Sequence, residues 1–418
     1  MTPRIAIIGA GAAGLMALAA LLEESTEAEL LLLERNNGLG KKVLISGGGR
    51  CNVTSGISSS EELLKRYPRG AHFLKPSLSQ FPPSAVVAWF EAHGVPLKTE
   101  ADLRVFPESD NGADIVGVFE HLFEDPSCSV LLSKSVTGIE RIPNGFRILL
   151  KEREPLEVTH LILTTGGQAY RHTGSTGDGY AFAESLGHHI TPLAPSLNGF
   201  ILKETWPRTL SGVSWKDAIL RMTAEPTQHA RGPFLFTHQG VSGPAVFALS
   251  SLIAFSAYDA AHPLSCTIDL FPDHTIDTLM KEIQLFISQH PKKAFSSLLD
   301  TFVPRSLGEA LTHAFDFPRA GHICEYPKTL HRELATLLKG LPLTITGRTP
   351  GDEFVTAGGV DTTEVNSHTM ESLICPNLYF AGELLNIDGF TGGFNLQASW
   401  ATGRAAGAHL AHALRTAS

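Results

Sequence analysis

Apolar and polar positions at the start of the chain predict a strand, a helix and a second strand. Residues 4–8 (RIAII) are apolar and β-branched, and residues 12–22 suit a helix. Residues 29–34 (ELLLLE) are a continuous apolar run of the kind that buried parallel strands show. The chain turns more polar over 58–75, and residues 84–93 then predict an amphipathic helix. Residues 129–139, 146–150 and 156–165 predict strands, the last (ending THLILTT) stopping at Gly166 and Gly167. A polar turn, TGSTGDG at 173–179, precedes a short helix at 180–186. From about Thr191 the pattern changes. Short β-like stretches at 197–202, 218–223 and 266–270 alternate with Pro and Gly, predicting a small antiparallel sheet or barrel. Residues 275–290, 292–302, 306–315 and 329–339 predict helices, with Pro291 and Pro304 as punctuation. After Gly347 the pattern of the amino-terminal region returns, through TAGGV at 356–360, a strand at 377–381 and a last helix near 398–414. Together these elements predict an α/β nucleotide-binding domain built from both chain ends, with a separate domain inserted between them.

Composition narrows this reading. A chain of 418 residues, 43% hydrophobic and 18% charged, can build two or three domains with substantial cores. A formal charge of −9 argues against a general nucleic-acid or anionic-membrane binder. The five cysteines, at 51, 128, 266, 324 and 375, form no C-x-x-C pair, which argues against a disulfide framework, a zinc site or a dithiol centre and for a cytoplasmic home. The apolar stretch 5–22 also has the look of a leader or anchor, but three glycines interrupt it at functional spacing and it barely reaches the length of a spanning helix.

Those glycines carry the first candidate chemistry. Gly9, Gly11 and Gly14 follow the first strand at G-x-G-x-x-G spacing, the fingerprint of a dinucleotide site. Gly9 permits the tight turn, Gly11 leaves the backbone open to a pyrophosphate, and Gly14 lets the helix pack on the strand. Ala12 and Ala13 stand at the helix start, where unpaired amides and the positive dipole end favour phosphate. Glu34, 20 residues after Gly14, suits a ribose diol, and Arg35 follows it. An acid there disfavours a 2′-phosphate.

A second strand-to-helix glycine turn comes late. The strand at 377–381 leads into Gly382 and Glu383, then Asp388, then Gly392, Gly393, Phe394, Asn395 and Leu396 ahead of an Ala-rich helix. An extended cofactor such as FAD needs two such turns, one at its pyrophosphate and one facing its ring, with Asp388 near the ribityl or phosphate region. A third element is Lys41 and Lys42 followed by GGGRCN at 47–52. Gly48 and Gly49 let backbone lie against a flat ring or a phosphate, and Arg50 offers a fork to an anionic oxygen. Cys51 and Asn52 complete the box, Cys51 reading better as a small buried residue than as a reactive thiol.

The combination of GAGAAG, KKVLISGGGRCNVT, TGSTGDG, FTHQGVSGPA, TAGGV and GELLNIDGFTGGFNLQ closely resembles a family of bacterial FAD-binding flavoproteins. Its members are described variously as aminoacetone-oxidase-like, as bile-acid dehydro-reductase-like, or as NAD(P)/FAD-dependent oxidoreductases. The resemblance runs nearly end to end. It implies a glutathione-reductase-type FAD-binding Rossmann domain at 1–190 and 351–418. It also implies a β-barrel-like inserted domain at 191–272 and 338–350, carrying a helical insertion at 273–337. It places Val136 against the adenine through its backbone. The strand end at Thr165, Gly166 and Gly167 is where open α/β sheets meet their ligands, and the TGDG turn with Asp178 is similar to one in fumarate-reductase-like flavoproteins that lies near the flavin. Phe394 stands where a Tyr is common and Asn386 where an Asp is usual.

The expected activity is hydride transfer between a small organic substrate and non-covalent FAD, in a cytoplasmic oxidoreductase. No second G-x-G-x-x-G appears mid-chain, so NAD(P)H would dock transiently or the substrate would itself be the reductant. His238, in FTHQGVSGP, is the candidate acid, weighed against a packed histidine that caps the next turn; Tyr170 and His172 are similar candidates. Oxidase and reductase remain open, as do the substrate and the oligomeric state. Two further classes stand beside this reading, an FAD-bearing partner of tRNA or other nucleic acid and a flavin redox sensor without turnover.

Overall fold

Arg4–Ile8 is the centre of a five-stranded parallel sheet ordered Leu378–Phe380, His160–Leu163, Arg4–Ile8, Glu29–Leu33, Cys128–Leu131. Ile5, Ile7, Leu30, Leu32, Leu161 and Leu163 are buried because both sheet faces are covered, which is why these strands read as unbroken apolar runs. Both chain ends contribute strands. The computed structural model describes residues 2–24, 27–223, 227–351 and 353–417, and the chain divides into two units, one formed by residues up to 195 and from 354 onward, the other by 196–353.

In the first unit, the helix Ala12–Glu23 is buried over its first ten residues. The last helix, Phe394–Ala417, packs against it backbone to backbone. A Cβ at Gly403 would lie 2.2 Å from the Ala13 carbonyl oxygen, and one at Gly407 would lie 2.3 Å from that of Ala17. Small residues on both helices permit this approach. It welds the two chain ends together.

Several elements differ from expectation, each for a local reason. The predicted strand 129–139 is two strands, because Ser133 takes a left-handed conformation (φ +55°) and the chain turns there. Cys128–Leu131 closes the edge of the parallel sheet, while Val136–Ile142 pairs antiparallel with Gly145–Leu150. The run 156–165 divides at Thr159, giving Leu156–Val158 to that antiparallel sheet and His160–Leu163 to the parallel one. The last helix begins at Phe394, four residues before the Ala-rich stretch that predicts it. A helix at Gly112–Leu122 lies outside the predicted elements, although Asn111 caps it, its side chain accepting from the Ala113 amide at 3.0 Å.

The second unit holds a closed antiparallel barrel ordered Phe200–Leu202, Gly240–Ser242, His229–Phe236, Ser214–Met222, Leu264–Asp269, Leu341–Arg348. Four helices, Ile276–Gln289, Phe295–Phe302, Arg305–Ala314 and Lys328–Lys339, lie in sequence between its last two strands. They bury Leu279, Ile283, Leu299, Leu307 and Leu334 in a core shared with the barrel strands. Among the described residues, no helix is long and apolar enough to cross a membrane.

Candidate functional site

The glycines after the first strand do three different things. Gly9 (φ +105°) admits the turn, and a Cβ there would lie 2.7 Å from the Thr164 carbonyl oxygen. A Cβ at Gly14 would lie 1.9 Å from the Gly9 oxygen, so helix and turn touch there. At Gly11 a Cβ would meet nothing within 4 Å. That open face fronts a helix start with no side-chain cap and no acid in its first turn. Helix geometry leaves the first amides, those of Ala12 and Ala13, without intrahelical partners, and the positive dipole end is uncompensated by any residue of the helix.

Glu34 is buried and held in place by backbone. Its Oε2 accepts from the Ala10 amide at 2.8 Å, and its Oε1 accepts from the Asn36 amide at 2.8 Å and the Asn36 side chain at 2.7 Å. A carboxylate has about four acceptor positions. Three are used, leaving one for a ligand hydroxyl. The Ser133 and Lys134 amides donate to the carbonyls of Asn36 and Glu34, so the chain reaches Val136 directly from beside this acid. Arg35 is paired with Asp178 at 2.8 Å and also bonds Thr176, which ties the acid-bearing loop to the TGSTGDG turn.

The late glycine turn sits against this first one. A Cβ at Gly382 (φ +73°) would lie 2.8 Å from the Ala13 Cβ, and the Gly382 amide donates to the Thr402 hydroxyl at 3.0 Å. Glu383 accepts from Lys42 Nζ at 2.6 Å and from the Thr356 amide at 2.9 Å. Gly392 (φ +129°) and Gly393 (φ +87°) lead into the last helix, whose first turn also lacks an acid. Asn395 clamps this loop, exchanging two hydrogen bonds of 2.8 Å with the Gly389 backbone, and Tyr67 donates to the Phe394 carbonyl at 2.8 Å. Leu396 is half-buried one step further along the helix.

The GGGRCN box is stitched to the same helix start. With its amide oriented to satisfy both ends, Asn52 accepts from the Gly393 amide at 2.9 Å and donates to the Thr54 carbonyl at 3.0 Å. Thr54 donates to Gln397 at 2.6 Å, and Trp400 donates to the Val53 carbonyl at 3.0 Å. Gly47, Gly48 and Gly49 are all left-handed, and Cβ atoms at the latter two would meet nothing within 4 Å. Two helix starts with no acid in their first turns, an oriented acid and open glycine backbone fit an extended, anionic dinucleotide.

Over residues 3–409 the sequence matches the model of the HI0933-like protein Rossmann domain. The chain belongs to the HI0933-like family. Its cofactor is FAD. This HI0933-like chain is 30% identical over 410 residues to a 3-dehydro-bile acid delta(4,6)-reductase of Clostridium scindens, covering 97% of this chain and 98% of that protein. It is 29% identical over 401 residues to a ribosomal RNA dihydrouridine synthase of Escherichia coli, covering 95% of each, and 30% identical over 404 residues to one of Haemophilus influenzae, again covering 95% of each. In fold it is similar to E. coli quinol fumarate reductase (TM-score 0.51, 14% identity, 100% of this chain and 71% of that one). It is similar to a 3-ketosteroid delta1-dehydrogenase of Sterolibacterium denitrificans as well (TM-score 0.50, 12% identity, 99% and 100%).

Some candidate residues of this HI0933-like chain occupy unexpected roles. One nitrogen of Arg50, Nη1, donates to Glu100 at 2.7 Å and to Asp110 at 3.3 Å, and the guanidinium carbon lies 3.8 Å from the centre of the Phe106 ring. Asp388 is buried against Arg69. The Thr165 hydroxyl is buried without a hydrogen-bond partner among the described residues, and a Cβ at Gly179 would strike it at 1.9 Å. Gly166 is left-handed, and a Cβ at Gly167 would lie 2.4 Å from the Thr356 hydroxyl. His238 lies in the other unit, exposed in the tight hairpin between two barrel strands. The turn there is capped by Thr237, whose hydroxyl accepts from the Gly240 amide at 3.0 Å, so the packed, capping histidine is corrected. Tyr170 is left-handed and stacks on Phe354 with centroids 5.8 Å apart, and His172 is exposed beside it.

Cys51 is fully buried at a left-handed position, and burial pushes its thiol up to about 12. The thiolate is the reactive form. At pH 8 the folded protein should therefore leave Cys51 unlabelled by maleimide while exposed Cys324 reacts within minutes; peptide mapping that finds both labelled at equal rates would refute the burial argument.

Proposed function

We propose that this chain is an FAD-dependent reductase that adds hydrogen across a carbon–carbon double bond of a small organic substrate, with NAD(P)H as electron donor. FAD supplies the hydride relay between the two. The observation that carries the reading is the contact of Gly382 with Ala13, which sets the late glycine segment against a first helix start with no acid of its own, while the last helix, entered through Gly392 and Gly393, has no acid in its first turn either. The first helix start binds the pyrophosphate, Glu34 accepts a ribose hydroxyl, and the Gly392–Gly393 turn presents amides toward the ring end. The names of the curated relatives supply the direction of reaction. A delta(4,6)-reductase and a dihydrouridine synthase both yield products with a saturated carbon–carbon bond.

The test is anaerobic stopped-flow. Holoenzyme reduced by NADH or NADPH should be reoxidised by conjugated enones in the absence of oxygen. Reduced flavin that responds to oxygen alone would replace the reductase with an oxidase, and flavin that no nicotinamide reduces would remove the proposed donor. A second reading, reduction of uridine in ribosomal RNA, is favoured by the similarity to two rRNA dihydrouridine synthases. The net charge of −9 supports the small-molecule reading over it. Mass analysis of rRNA incubated with reduced holoenzyme separates them.

His238 is proposed as the proton donor to the carbon beside the one that takes hydride. His238→Asn should lower substrate-dependent flavin reoxidation at least tenfold and leave reduction by NAD(P)H intact, in line with typical acid–base contributions. Unchanged rates in both half-reactions would remove it from the mechanism.

A further inference from the structure

An ion pair stands where the cofactor-facing segments of the first unit converge. Lys42 lies in the helix Lys41–Ile45, and the Gly40 amide just before it donates to the Ala10 carbonyl at 2.9 Å, beside the first glycine turn. That helix runs on into the open backbone of Gly47, Gly48 and Gly49. Glu383 follows Gly382, the residue that meets Ala13. Lys42 Nζ reaches Glu383 Oε2 at 2.6 Å, and the two side chains are 26% and 14% exposed. The pair is therefore accessible, yet mostly withdrawn from water.

The carboxylate is fixed by backbone. Glu383 Oε1 accepts from the Thr356 amide at 2.9 Å, and the Thr356 hydroxyl accepts from the Gln168 amide at 2.8 Å. A Cβ at Gly167 would lie 2.8 Å from Oε1, so only a glycine leaves room for it. Gly167 and Glu383 lie beyond the carboxyl ends of the strands His160–Leu163 and Leu378–Phe380, the side on which open α/β sheets take their ligands. Tyr180 is buried nearby. Burial first, and the Glu383 charge second, push its hydroxyl above the usual range, so it keeps its proton and adds no charge. An ammonium has three N–H donors. Lys42 gives one to Glu383, and among the described residues no other hydrogen bond engages Nζ.

Two electrons and one proton convert FAD to FADH−, which carries one more negative charge. A neighbouring cation favours that form and a neighbouring anion opposes it, the more so where water is partly excluded. We propose that the Lys42–Glu383 pair sets the reduction potential of the bound FAD, Lys42 drawing it up and Glu383 holding it down. This role needs bound FAD and is independent of which substrate the flavin serves.

The experiment reduces the holoprotein slowly with xanthine and xanthine oxidase against a reference dye, which reads the flavin potential without any substrate. Lys42→Met should lower the potential and Glu383→Gln should raise it. Each shift should be about 30 mV or more, the equivalent of a tenfold change in relative affinity for reduced and oxidised FAD. The double variant should return close to wild type, and Lys42→Arg should keep the wild-type value. Opposite shifts that cancel in the double variant are a signature of charge that lost packing does not produce. Where a variant sheds its flavin, titrating the apoprotein with FAD and with dithionite-reduced FAD yields the same affinity ratio. Potentials unmoved in both single variants, or moved in the same direction, would overturn the assignment. So would equal weakening of both redox states in Lys42→Met, which would put the ammonium at the phosphates instead. A failure of the reductase reading would show separately, as reduced flavin that no enone reoxidises, and would leave these potentials readable.

Discussion

Gly403→Ala is expected to strip the protein of its flavin. The new Cβ would lie 2.2 Å from the Ala13 carbonyl oxygen, a backbone atom with no freedom to swing away. Overpacking of this kind costs about 1–3 kcal/mol, offset by at most about 1 kcal/mol from the better helix former. The strain falls where it matters, because Ala13 stands in the first turn of the pyrophosphate helix and also meets Gly382 of the second turn. FAD affinity should fall roughly tenfold or more, read by flavin retained on gel filtration and by titration of the apoprotein. Gly117→Ala is the control. That glycine also lies in a helix, but its Cβ would meet nothing within 4 Å, so alanine should leave flavin unchanged and raise stability by up to about 1 kcal/mol. Undiminished flavin in Gly403→Ala would mean that the two helices do not position the site.

The second large effect is expected at Asp388. Its side chain is buried against Arg69, which is itself largely covered, inside the loop that leads to the last helix. Removing one member of a buried pair costs about 3–5 kcal/mol, because the remaining charge keeps its desolvation penalty. Asp388→Leu should lower the unfolding free energy by that order, read from urea titration, with flavin release preceding loss of helical signal, since the glycine turn at 392–393 depends on this loop. The double variant Arg69→Met, Asp388→Leu should recover a large part of the loss. A single variant that costs under about 1 kcal/mol would show that the pair is solvated.

Much of the cofactor half is legible in the sequence because its chemistry is local. A tight turn, an open backbone and a helix start need glycines at set spacing, and Gly9, Gly11 and Gly14 can be assigned to those jobs without knowledge of any contact. Arg50 and Asp388 are less legible, for a common reason. A charged side chain in a glycine-rich box offers itself equally to a ligand or to a protein partner, and the partners here, Glu100, Asp110 and Arg69, come from segments that carry no motif. The strand limit at 159 escapes the sequence because a β-prone run looks the same whether it serves one sheet or two, whereas polar Ser133, Lys134 and Ser135 mark the break at 133 in the sequence itself.

The sequence alone determined the type of its strongly periodic elements, the sharing of one nucleotide domain between the chain ends and the positions of its glycine turns, since these follow from hydrophobic period and from backbone sterics within a few residues. Only the tertiary structure decided that Gly382 rests on Ala13, that Asn52 and Gln397 fasten the GGGRCN segment to the last helix, and that Asp388 lies buried against Arg69. Those facts depend on which distant groups meet. Long-range pairing of that kind leaves no period in the chain.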